Sequence, residues 1–217
     1  MKKIKFNHSK NSDRSLKRLV ILLVILLLMI GVAFGGYEVK NYVTRRAAVQ
    51  RQNDPELQRE KEQRDQEHQF IKKISDPAIQ DYRKNYQVLP SVVIAQAIVE
   101  SNWGASRLYQ AANNPFGIKG SYHHKSVSYE TAEYVHGRRV IIHASFRKYP
   151  TLSAAVMDHD NALNKGFIHR NHVMSYITDA RLLQKNHYAT DPNYANKLIK
   201  IIKAYHLNRY DLKALND

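Results

Sequence analysis

From Phe70 to the C-terminus the chain holds three glutamates: Glu100, Glu130 and Glu133. Paired carboxyl groups suit hydrolysis of a sugar linkage. One protonates the leaving oxygen, and the other activates water or balances positive charge. Glu100 closes an apolar run, Pro90 to Gly104, in which Pro90 suits a helix start and Gly104 a stop. Apolar residues fall on nearly every side of that run, so the spacing predicts a helix that tertiary packing surrounds. A carboxylate in its last turn meets the negative end of the helix dipole and an apolar setting. Both raise a pKa, and a carboxyl that stays protonated near neutrality is a general acid. The plainer alternative is a glutamate that ends a helix and points to water.

Glu130 and Glu133 fall in a different kind of segment. Val127 to Val135 and Val140 to Tyr149 are rich in β-branched and aromatic residues and flank His136-Gly137-Arg138-Arg139, which predicts a β-hairpin. Alternation puts Tyr129, Thr131, Glu133 and Val135 on one face and Glu130, Ala132 and Tyr134 on the other. Taken singly, each hairpin glutamate reads as an ordinary solvent-facing residue. Paired with Glu100, one of them supplies a second carboxyl from a separate element.

Other chemistries fit less well. The chain has no cysteine, hence no thiol nucleophile, disulfide or thiolate zinc site. It lacks a Gly-x-Ser-x-Gly elbow, a Gly-rich phosphate loop and a His-Glu-x-x-His pair. His123-His124 and His169/His172 lack a convincing set of carboxylate partners, so neither a metal nor a cofactor is expected. Residues 71–217 carry 20 Lys and Arg against 11 Asp and Glu, a net of +9. That charge suits acidic partners such as anionic wall polymers or lipid headgroups. Nucleic-acid binding is not expected, for no zinc-finger spacing, helix-turn-helix signature or RNA-binding aromatic motif is present.

Further helices are expected from punctuation. Ser75-Asp76-Pro77 looks like a cap that opens a helix through Tyr86, with Gln87 to Leu89 as the link to the central helix. Thr151 caps Leu152 to Leu163. Asp191-Pro192 opens a last helix to Tyr205, with Tyr194, Leu198, Ile201, Ile202 and Tyr205 at helical spacing.

The N-terminal third has another character. Residues 1–18 carry seven basic side chains and one acid, and 19 uncharged residues follow from Leu19 to Tyr37. About 20 apolar residues span a bilayer core, and the preceding basic block predicts an N-terminus inside and the remainder outside. A cleaved signal peptide is the rival; the length of the run favours an uncleaved signal-anchor. Residues 38–69 interleave acids and bases and read as a solvated stalk, although a surface helix of the domain also fits 56–68. Pro55 breaks or begins a helix there. The resulting organisation is a basic cytoplasmic tail (1–18), a transmembrane signal-anchor (19–37), a charged stalk (38–69) and one globular domain (70–217).

Four motifs then carry a resemblance: Ala95 to Gly104, Asn113-Asn114-Pro115-Phe116-Gly117-Ile118-Lys119-Gly120, Thr131-Ala132-Glu133-Tyr134, and Phe146-Arg147-Lys148-Tyr149. In this order they resemble the bacterial glucosaminidase domain of glycoside hydrolase family 73, over about residues 70–208. The resemblance implies a lysozyme-like α+β fold, with a mainly helical lobe and a small β-hairpin lobe walling a cleft. It implies a peptidoglycan hydrolase that cuts glycan strands after N-acetylglucosamine; the alternatives are a lytic transglycosylase or muramidase of the same fold class, or a wall-binding scaffold without turnover. It places the family's acid on Glu100, its second glutamate on Glu133, and an important tyrosine on Tyr194. Asn114, Phe116, Trp103 and Tyr134 are the expected sugar contacts; Phe116 fits the core equally well, and Trp103 fits a packing anchor. Asn102 stands where glycine is frequent in the family, and Pro115 where leucine is.

Overall fold

The computed structural model describes residues 10–135, 138–168 and 175–216, with the side chains of 10–16, 47, 51, 52, 132–135 and 139 outside the description. His169 and His172 also lie outside it. The chain divides into two units, Met1–Glu62 and Gln63–Asp217.

In the first unit, α1 (Lys10–Gln52) carries the long apolar run, and its apolar side chains are exposed. The stretch Lys17–Gln50 is long and apolar enough to cross a membrane. Asp54 accepts a hydrogen bond from the Glu56 amide beside Pro55, where α2 (Pro55–Asn85) begins.

The second unit is mainly helical. It takes in the later turns of α2, then α3 (Pro90–Ser101), α4 (Arg107–Ala112), β1 (Ser126–Val135), β2 (Arg138–Arg147), α5 (Leu152–Leu163), α6 (Tyr176–Lys185), α7 (Tyr194–Ala204) and α8 (Asn208–Asn216). A π-helical turn, Asn164–Ile168, extends α5. The two strands form an antiparallel hairpin, with Ser126 opposite Arg147 at its base and Val135 opposite Arg138 at its tip.

The surrounded helix is α3. Val92, Val93, Ile94, Ala95, Ala97 and Ile98 are all buried, and α6, α7 and α8 pack against it. It ends sooner than Gly104. Asn102 takes the left-handed conformation (φ 49°, ψ 62°), and its amide donates to the Ile98 carbonyl. Asparagine tolerates that conformation better than other residues with a Cβ, which accounts for Asn102 at a position where glycine is frequent. Gly104 is needed for another reason. Its φ is +77°, and a Cβ there would stand 2.6 Å from the Phe70 ring.

Pro77 does not open a helix; α2 runs through it. Phe70, Ile71, Ile74, Ala78 and Tyr82 form one buried stripe across the proline at helical spacing. Its burial offsets the roughly 3 kcal/mol that an interior proline costs. Ser75 is not a cap; its hydroxyl donates back to the Lys72 carbonyl. Glu67 also belongs to the packed unit, accepting a hydrogen bond from the Tyr205 hydroxyl at 2.8 Å. Thr151 caps α5 as expected, through the Ala154 amide.

The helix after Asp191-Pro192 is not the last. α8 follows it and does what Leu89, the residue before α3, cannot: Leu89 has no capping side chain. Asp211 of α8 accepts from the Ser91 amide and the Ser91 hydroxyl, each at 2.7 Å, and so caps the N-terminus of α3 from 120 residues away.

Two outcomes are expected. Gly104→Ala should lower unfolding free energy by roughly 1–3 kcal/mol, read from denaturant titration, because the new methyl meets a buried ring at positive φ. Burial raises the Asp211 carboxyl from 3.8 to about 6, against the lowering effect of its Ser91 bonds. Between those values the folded state keeps a proton that the unfolded state has lost. The stabilisation this group supplies is therefore complete below about pH 3.8 and lost as pH rises through about 6. Asp211→Asn keeps the acceptor for the Ser91 amide and removes the titration. The stability of wild type minus variant should fall by up to roughly 3 kcal/mol across that window.

Candidate active site

Glu100 sits on the last turn of α3, where the helix emerges from the core. Its carboxyl opens into a cavity of about 630 Å³ lined also by Phe116, Gly117, Ile118, His159, Leu163, Phe167 and Tyr188. The side chain is solvent-accessible, yet protein walls crowd it and exclude much of the water that would stabilise its charge. This desolvation raises its pKa above the ordinary 4.5, and one hydrogen bond works in the opposite direction. The donor is the Tyr194 hydroxyl, 2.9 Å from Oε1.

Tyr194 is the first residue of α7 and is buried. α6 braces it, since Gln184 accepts from the Ala195 amide at 2.9 Å, tying down one of the free N–H groups of the α7 start. The Tyr194 ring leans on Tyr188 at 5.5 Å. Burial and the nearby Glu100 hold both phenols far above the usual tyrosine range, so both stay protonated. Below Tyr194, Gln96 donates to its hydroxyl at 3.2 Å.

Phe116 is buried and stacks on His159, with ring centres 3.8 Å apart at 14°. It belongs to both the core and the cavity wall. His159 is neutral, its pKa pushed down by burial to about 3. Its Nδ1 lies 2.8 Å from Asp160. Burial, followed by the nearby Asp81 carboxyl, raises the Asp160 pKa well above the ordinary carboxyl range. Asn85 braces Asp81, and the cavity wall itself sets the Lys119 cation beside the neutral His159.

Asn114 is a brace for its loop, not a sugar contact. It is 1% exposed, and its amide donates to the carbonyls of Ile118 and Arg147 and accepts from the Ile118 amide. These bonds stitch the loop to the base of β2. Trp103 also lies elsewhere. It packs on Tyr205 with ring centres 4.7 Å apart and lines a separate cavity with Gln66, Gln69 and Tyr109. The packing-anchor reading of Trp103 therefore describes its place.

On the hairpin, Glu133 stands opposite Val140, two pairs short of the tip, and Tyr134 opposite Arg139. Both side chains lie outside the described residues. Glu130 is exposed, faces His143 across the strands at 3.4 Å, and lines another cavity with Arg107. Among the described residues, no group of three His, Asp or Glu side chains is gathered as a metal site. Gln96 and Tyr188 were not singled out from sequence. A lone amide inside an apolar helix, one turn before a candidate acid, is the signal that could have found Gln96; Tyr188 carries none.

A half-desolvated acid at a helix end, a cleft with aromatic walls and a two-stranded hairpin make up a lysozyme-like fold. Residues 76–207 match the family described as mannosyl-glycoprotein endo-beta-N-acetylglucosaminidase. The chain belongs to this glucosaminidase family, glycoside hydrolase family 73. It is 41% identical over 163 residues to the exo-glucosaminidase LytG of Bacillus subtilis, covering 72% of this chain and 57% of that protein. It is 40% identical over 132 residues to a probable N-acetylmuramidase of Lactococcus lactis, covering 56% of this chain and 30% of that one. The catalytic domain of the autolysin Auto from Listeria monocytogenes superposes with a TM-score of 0.60 at 39% identity, over 67% of this chain and 87% of that domain. The matches thus span about half the first relative and a third of the second.

Because the Tyr194 bond favours the ionised form of Glu100, Tyr194→Phe should raise the Glu100 pKa further. Carbon-13 NMR titration of the Glu100 carboxyl in both proteins measures this. An unchanged or lower value in the variant would contradict the assignment.

Proposed function

We propose that the chain hydrolyses the β-1,4 bond after N-acetylglucosamine within peptidoglycan glycan strands, as an endo-acting glucosaminidase. The observation that carries the proposal is the Glu100 carboxyl, its pKa raised by its cleft and its Oε1 held by Tyr194. Glu100 gives its proton to the glycosidic oxygen as the bond from that oxygen to the anomeric carbon breaks. Water then adds to the anomeric carbon. Its proton goes to Glu133 in an inverting course, or Glu133 supports attack by the substrate's own N-acetyl group. Hairpins move on binding, which gives Glu133 a route to the bond from its place near the tip. Tyr194 orients the N-acetyl group or steadies developing charge, and Phe116 forms part of the sugar-binding wall. No cofactor enters this scheme.

We also propose that Leu19 to Tyr37, within the apolar helix α1, is a single-pass signal-anchor, with the basic residues 1–18 cytoplasmic and the catalytic unit outside. On this reading residues 38–62 form the stalk. Lys200, Lys203, Arg209 and Lys213, all exposed on α7 and α8, suit anionic wall polymers.

A second reading keeps the fold and moves the cut to the other sugar, as a muramidase; the name of the Lactococcus relative favours it. Purified peptidoglycan digested with the full chain, and analysed by mass spectrometry, separates the two. Reducing N-acetylglucosamine ends are expected, and Glu100→Gln should lower their release by roughly 10²–10⁴-fold with the fold intact. Reducing muramic acid ends would favour the second reading. Tight wall binding with no fragments would make the protein a scaffold.

A further inference from the structure

Gln96 is the polar residue in the buried body of α3 that no role yet explains. It is 0% exposed. It lies four residues before Glu100, on the same helical face. Its Nε2 donates to the Tyr194 hydroxyl at 3.2 Å, and that hydroxyl donates to Oε1 of Glu100 at 2.9 Å. Its own carbonyl, Oε1, is buried without a hydrogen-bond partner. An orphaned buried carbonyl costs stability, so an apolar side chain would serve the core better here.

The direction of the chain matters. A phenol has one proton to give and lone pairs to accept with. With Gln96 donating to it, and Tyr194 only 2% exposed, the phenol proton has Glu100 as its acceptor. The reverse amide orientation would set a carbonyl against the phenol and give its single proton two acceptors. Tyr194 could then donate to Gln96 and receive a hydrogen bond from protonated Glu100. The acid's proton would be held between two protein groups and away from substrate.

We propose that Gln96 is a positioning residue for the acid. By donating to Tyr194 it turns the phenol proton toward Oε1 of Glu100, and so leaves Oε2 as the oxygen that carries the transferable proton. The inference rests on Glu100 being the general acid. It explains why an amide persists in an apolar helix at a cost: the amide stabilises no packing and sets which carboxyl oxygen is the donor. During the reaction the proton leaves Oε2 for the glycosidic oxygen. The Tyr194 hydroxyl remains on Oε1 and stabilises the carboxylate that results.

The test uses the full chain on soluble glycan strands of alternating N-acetylglucosamine and N-acetylmuramic acid. Gln96→Met removes the amide in a side chain of similar length. It should lower kcat about tenfold, the scale of one hydrogen bond to an ionising group, and leave KM within about twofold. Tm should stay the same or rise, because the orphaned carbonyl is gone. Gln96→Leu, with a branched shape, should give the same result and guards against a failure of one variant to fold. In a Tyr194→Phe background, Gln96→Met should cause no further loss, since the amide acts through that hydroxyl. The proposal is overturned by wild-type kcat in Gln96→Met beside an inactive Glu100→Gln. It is equally overturned by a fall in kcat that tracks a fall in Tm, or by losses that multiply with Tyr194→Phe. A Glu100→Gln variant as active as wild type would overturn both this inference and the reading beneath it.

Discussion

Helix α3 has no solvent face, and the rest of the catalytic unit follows from that constraint. An apolar helix on which Val92 through Ile98 are all at or near zero exposure must be covered from every side. α6, α7 and α8 provide the cover, with the apolar stripe of α2 in the same core. The cover stops at the last turn, and there the chain exposes one carboxyl. Burial of the helix and exposure of its end are one arrangement, and Glu100 is the residue at the boundary. The helices that enclose α3 also bring Tyr194 to within 2.9 Å of the acid.

The electrostatics of the cleft balance two opposed effects. Desolvation favours the protonated form, and the Tyr194 bond favours the carboxylate. The general acid proposed for this position needs the first before proton transfer and the second after it. Around it His159 is neutral and the phenols of Tyr188 and Tyr194 stay protonated, while Lys119 brings a positive charge to the cleft wall. The shift at Glu100 comes from its desolvation and, in the opposite sense, from the Tyr194 bond.

The hairpin is attached more firmly at its base than at its tip. Asn114 and Asn113 bind the carbonyls of Arg147 and Tyr149 around the end of β2, and Arg147 and Tyr149 both reach Asp158 on α5. Beyond that base, among the described residues, the two strands have only each other as sheet partners. A two-stranded ribbon alone is marginally stable in water, so its outer pairs have the most freedom to follow a ligand. Glu133 stands among those outer pairs.

Sequence alone determined the elements whose signals are local. The apolar run before Glu100, the alternating strands around residues 136–139, the Thr151 cap and the Asp191-Pro192 start are written in neighbouring residues, and helices and hairpin form there, with α3 ending at Ser101 short of Gly104 and β2 starting at Arg138 inside the expected turn. The four-motif resemblance extended this to the family and the fold. Tertiary structure decided whatever depended on residues far apart in the chain. Pro77 is carried inside a helix because a buried stripe spans it, which a local rule for proline cannot weigh. α8 caps α3 across 120 residues. Asn114 and Trp103, candidate sugar contacts by type, turned out to be a loop brace and a packing residue. The Gln96–Tyr194–Glu100 chain joins residues 98 and 94 positions apart. Periodicity and punctuation report what a segment prefers; partners for buried polar atoms are assigned only when distant segments pack together.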